Sequence, residues 1–110
     1  MSLKSEIWVQ AFLRRCFAQG FYGAVTRKGA PEAGAVYLAV NRLDGRVFLY
    51  GPPPGPAYDD RGEKRWELMR PDALDPLALQ DVIAKLARID PDIWVVEIED
   101  RDGRLELPLV

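Results

Sequence analysis

The chain has no histidine and a single cysteine, Cys16, among its 110 residues. Without histidine, the commonest metal ligand and the commonest general base are missing. Ser-His-Asp and Cys-His nucleophilic arrangements are therefore excluded. One thiol can build neither an internal disulfide framework nor a thiolate-rich metal site. No apolar stretch approaches the ~20 residues of a membrane-spanning helix. The opening residues, Met1 to Glu6, lack the basic start, apolar run and small-residue cleavage site of a secretory signal, so the expected location is cytoplasmic, with no membrane partner. Neither sign of charge dominates: 15 basic residues face 17 acidic ones, a net charge of −2. No global field directs such a chain to nucleic acid or to an anionic membrane. No glycine-rich turn with Rossmann or P-loop spacing follows a strand. On these grounds no cofactor and no metal site are expected.

What is present is ordinary for a folded domain. The hydrophobic fraction is 48%, and a chain of this length can bury a core without staples. The expectation is a single α+β domain over 1–110. Residues 3–19 read as a broadly apolar helix closed by Gly20. Phe21 to Arg27, Ala35 to Val40 and Arg46 to Tyr50 read as strands, the last two joined by an Asp44-Gly45 hairpin turn. Residues 51–56, Gly-Pro-Pro-Pro-Gly-Pro, cannot be regular structure and open a loop to about Gly62. Lys64 to Arg70 resumes a strand. Asp75-Pro76 starts a second helix, with aspartate as N-cap and proline at the first helical position; Asp90-Pro91 ends it. Ile93 to Glu99 is the clearest strand, and Leu105 to Leu107 alternates as a last one. Short hairpin-like connections predict a mainly antiparallel sheet of about five to six strands, with the two helices packed on one face.

Three segments carry a family likeness: Leu3-Lys4-Ser5-Glu6-Ile7-Trp8-Val9 leading to Leu13-Arg14-Arg15, then Asn41-Arg42-Leu43-Asp44-Gly45, then Asp90 to Arg101. Together they resemble the alphaproteobacterial domain-of-unknown-function family 1491, over nearly the whole chain. The resemblance implies a bacterial cytoplasmic origin and brings no activity, cofactor or catalytic residue with it.

Alternation places Val36, Leu38, Val40, Val47, Leu49, Trp66, Leu68, Trp94, Val96 and Ile98 on one sheet face. The other face then carries Tyr37, Phe48, Tyr50, Arg65, Glu67, Met69, Val95 and Glu97, aromatic rings mixed with both charges, and all of these but Met69 and Val95 are the candidate binding residues. With both helices spent on the first face, this one is expected to stand open. An open aromatic and charged face marks an interface or ligand platform. The expected function is accordingly a small interaction or accessory module, binding a protein partner or a second copy of itself as a homodimer. The alternative is a small-molecule-binding protein or enzyme using Glu97 and Glu99 with nearby arginines. A second alternative, single-stranded nucleic-acid binding, needs Tyr37, Phe48 and Tyr50 as stacking rings, and Glu67 and Glu97 argue against it. Plainer readings compete throughout: Glu97 and Glu99 as a solvated strand face, Cys16 as a buried inert thiol, Asp59 to Gly62 as a turn. Glu99 to Gly103 has the look of a calcium loop but lacks the spaced acidic ligands and the closing glutamate.

Overall fold

The computed structural model describes residues 4–110. Two helices and five strands run in the order α1 (Ser5–Ala18), β1 (Tyr22–Arg27), β2 (Val36–Asn41), β3 (Val47–Gly51), β4 (Glu67–Leu68), α2 (Pro76–Ile89) and β5 (Trp94–Glu99). The expected start of the first helix, Leu3, lies outside the described residues. Its end is as expected: Gln19 caps the carbonyls and Gly20 follows at φ +89°, a left-handed conformation that only glycine adopts without cost. At α2 the Asp75 carboxylate accepts from the Ala78 N–H at 2.8 Å, with Pro76 at the first helical position.

The strands form one sheet in the order β1-β5-β2-β3-β4. All neighbours are antiparallel except β2 and β5, which run parallel at the centre. Their sequences explain the position. Val36 to Val40 and Trp94 to Val96 are apolar at almost every residue, the pattern of strands buried on both faces, and all but Tyr37 among them are buried. The class is thus the expected α+β, with a mainly antiparallel sheet of five strands.

The helices do not share a face. Trp8, Val9, Phe12 and Cys16 of α1 pack on Val36, Leu38, Val40, Trp94, Val96 and Ile98. Leu79, Val82, Ile83 and Leu86 of α2 pack with Ala39, Val47 and Leu49 on the opposite side. Both parities of β2 and β3 are apolar, so each face needs its own cover. Two further expectations change. The strand over 64–70 shrinks to Glu67–Leu68, flanked by single bridges from Tyr58 to Lys64 and from Trp66 to Leu109. Residues 105–107 are not a strand but an irregular segment lying against the α1 side, where Leu105 and Leu107 join the core. Asp100, buried at 4% exposure, sets their course: its carboxylate accepts from the Arg104 and Leu105 N–H groups, both at 2.9 Å.

Candidate functional site

The six residues expected on one open face are divided by the register. Leu38 pairs with Tyr50 and Val40 with Phe48, so Phe48 and Tyr50 point to the α1 side and pack partly buried in its core. Tyr37 lies on the α2 side against that core, and Glu67, opposite Gly51 in the ladder, shares its parity. The closeness there is tight: a Cβ on Gly51 would sit 2.7 Å from both the Tyr37 ring and the Met69 sulfur. Arg65 belongs to no strand; its Nη1 donates to the Pro56 carbonyl at 2.9 Å and ties down the proline-rich loop. Glu97 does face the α2 side, flanked in the ladder by Ala24 and Ala39, and stays half-buried with Glu99 on the same face. Among the described residues, no basic side chain lies within 4.0 Å of either glutamate, and no group of three His, Cys, Asp or Glu side chains is placed to hold a metal ion.

A different feature lies beside α1. A groove of about 1130 Å³ opens between α1, the loop at 58–66 and the segment at 104–108. Its floor is aromatic. Trp8 and Phe12, one helical turn apart, stack with ring centroids 5.0 Å apart, and Trp66 tilts against Trp8 at 5.7 Å. All three rings are buried. One wall is a small hairpin. The Asp59 carboxylate accepts from the N–H groups of Arg61 and Glu63 at 2.9 Å each, and Gly62 takes φ +79°. That turn brings Tyr58 and Lys64 side by side. Lys64 Nζ rests 5.2 Å from the Trp8 ring centre and 5.3 Å from that of Tyr58. Burial in this slot pushes the Lys64 amine below the ordinary lysine value, while ammonium over aromatic faces is itself favourable. Arg15 lies over Phe12 at 5.9 Å, and Arg104 over Phe21 at 5.0 Å. Cys16 also lines the groove, but its thiol is buried and pushed above the usual range by desolvation, against the opposing effect of Arg15.

Sequence reading placed Trp66 on the core face of the sheet and Trp8 and Phe12 in a broadly apolar helix but missed their shared groove, because three segments far apart in the chain build it. The available signal was the helical spacing of Trp8, Phe12 and Arg15, which sets two rings and a cation on one side of α1.

In fold and surface this is a small α+β protein with a mixed five-stranded sheet, a helix on each face and an aromatic groove beside α1; among the described residues no helix is long and apolar enough to cross a membrane. The chain belongs to the family described as "Protein of unknown function (DUF1491)", whose model matches residues 3–107. A crystal structure of a DUF1491 family protein from Caulobacter crescentus CB15 is 40% identical, covers 100% of this chain and 99% of that one, and superposes with a TM-score of 0.79. A solution structure of a protein from A. tumefaciens is also 40% identical, covering 100% and 96%, with a TM-score of 0.81. An NMR structure of a DUF1491 family protein from Caulobacter crescentus CB15 gives 42% identity, 100% and 98% coverage and a TM-score of 0.75. No curated protein matches the chain.

Proposed function

We propose that this protein is a small binding module and that its site is the groove beside α1. The observation that carries the reading is the aromatic floor of Trp8, Phe12 and Trp66 at the base of an open groove walled by Tyr58, Arg15 and Arg104. Tryptophan, tyrosine and arginine are the side chains that dominate binding hot spots. A concave surface with apolar rings and a few fixed polar groups is also the usual form of a ligand site. The interaction-module reading of the sequence is thereby kept but moved, from the sheet face to the groove. A cytoplasmic setting goes with it, in keeping with the absence of a membrane-length apolar helix among the described residues.

Amide-resolved NMR with a set of small aromatic fragments tests the site. Shifts are expected to gather at Trp8, Lys64, Trp66 and Leu107. Shifts gathering instead around Ala24, Glu97 and Glu99 would overturn the placement and favour the half-open sheet face.

A second reading, self-association, rests on the outer side of α1. Ile7 and Phe17 are 50% and 52% exposed there. Light scattering across the micromolar range decides it: a mass that rises with concentration in the parent, and stays monomeric in Phe17→Ser, supports a homodimer. A constant monomer mass removes it.

A further inference from the structure

We infer that the groove holds an extended, acidic peptide segment of a partner protein, with its carboxylates against Arg15, Lys64 and Arg104 and its apolar side chains against Tyr58, Leu107 and the edge of Trp8. The inference rests on the groove being the binding site and adds what it recognises. Its first support is the state of the three cations. Each is held over an aromatic ring, Arg15 on Phe12, Lys64 on Trp8 and Tyr58, Arg104 on Phe21. None lies within 4.0 Å of a carboxylate among the described residues, where the ion pairs are Lys4 with Glu32 and Arg46 with Asp44. A ring fixes a cation's position without neutralising it, so the charges stay available to an incoming anion. Glu63 and Glu106 line the same groove, so three positive groups stand against two negative ones in a protein whose overall charge is −2. The groove is locally opposite in sign to the molecule, which is the complementarity that selects an acidic partner.

The second support is the main chain of the opposite wall. Trp66 and the C-terminal segment pair through Trp66 N–H to Pro108 O at 2.8 Å and Val110 N–H to Trp66 O at 2.9 Å. Leu105 N–H is spent on Asp100. Between these ties, Glu106 and Leu107 make no main-chain hydrogen bond with any described residue. An extended segment can pair with such free groups while its alternate side chains meet the half-buried Tyr58 and Leu107. The volume agrees with that occupant: about 1130 Å³ exceeds the roughly 300–1,000 Å³ of small-molecule pockets and the groove is open.

The test uses the intact protein and two short synthetic peptides. One alternates glutamate with phenylalanine and valine; the other replaces each glutamate with glutamine. Tryptophan fluorescence reads binding, because Trp8 and Trp66 lie in the groove. The glutamate peptide is expected to bind about tenfold more tightly than the glutamine peptide, and to weaken as salt is raised from about 0.05 M to about 0.5 M. Lys64→Met and Arg104→Met should each weaken it about fivefold or more while the melting temperature stays within a few degrees. Free glutamate and inorganic phosphate at the same concentrations should leave the fluorescence unchanged; saturation by either assigns the site to a small anion and overturns the peptide. Equal binding of the two peptides, or no binding of the glutamate peptide at millimolar concentration, also overturns the inference. If the glutamine peptide binds equally and its NMR shifts still fall at Trp8, Lys64 and Leu107, the acidic specificity is wrong but the groove stands. If its shifts fall elsewhere, the groove fails as well.

Discussion

The two sides of the sheet hold their helices by different means. On one side α1 has no side-chain N-cap, yet it buries Trp8, Val9, Phe12 and Cys16 among the rings and branched chains of the main core. On the other side α2 buries only Leu79 fully, but it begins with a carboxylate cap and a proline already set at helical φ. Packing fixes α1, and local chemistry contributes a larger share of α2. The difference teaches where a groove can form. Large flat rings meet at angles and leave space along their edges, as Trp8 and Trp66 do at an interplanar angle of 58°. The small aliphatic cluster of Ala39, Val47, Leu49 and Leu79 closes on itself.

The strongest test of this contrast is Trp94→Ala. Trp94 is 3% exposed in the α1-side core, and its indole Nε1 donates to the Ala30 carbonyl at 2.8 Å. Its removal is expected to cost about 3–5 kcal/mol in denaturant unfolding. A loss under about 1 kcal/mol would show that the α1 side is not held by packing. On the α2 side, Asp75→Ala should cost only about 1 kcal/mol, the usual worth of an N-cap, with the sheet retained. A loss as large as that of Trp94→Ala would make the two sides alike.

The smallest effect is a pH onset that separates the sides. Burial raises the Cys16 thiol under α1, and it also raises the phenols of Tyr50 on that side and Tyr37 on the other. At Tyr37 the nearby Asp90 adds to burial; at Tyr50 Arg42 opposes it. A group with a raised folded pKa stabilises fully below its unfolded value and loses that contribution as pH climbs through the folded one. Stability should therefore begin to fall from about pH 8.5, the ordinary thiol value, and fall further above about pH 10, where free phenols ionise. In Cys16→Ala the earlier decline is expected to vanish and the later one to remain. An unchanged onset in urea titrations would dissociate the thiol from the effect.

Helix ends were the most legible part of the chain, because their signals are local: Gly20, Asp75-Pro76 and Asp90-Pro91 each act on backbone within a few residues of themselves. Within strands, parity was also legible. Phe48 and Tyr50 do share one face, and Val47 and Leu49 the other. What could not be read was the phase between strands. Val36 to Asn41 and Val47 to Gly51 are apolar on both parities, so neither hydrophobic pattern prefers one register, and a shift of one residue exchanges the faces. The turn decides instead: Asn41 Oδ1 accepts from the Leu43 N–H at 2.8 Å, Leu43 takes φ 61° and Gly45 φ 87°. That backbone path brings Leu38 opposite Tyr50. The groove was hidden for a related reason. Trp8, Lys64 and Leu107 are neighbours only after the loop at 58–66 and the C-terminal segment have folded back over α1.

The parallel pairing at the centre of the sheet has a consequence for biosynthesis. An inner strand, β5, is the last of the five to be made, and it must slide between β1 and β2, both finished some fifty residues or more earlier. Until residue 99 has cleared the ribosome, β1 has no strand partner and β2 only its hairpin with β3. At synthesis rates of about 5–20 residues per second, the edges that β5 will occupy stay bare for several seconds. Those edges carry Val36, Leu38 and Val40, a run that invites pairing with any other nascent chain. The protein is thus most exposed to aggregation before β5 exists, and a truncation that stops short of it leaves β1 cut off from the rest of the sheet.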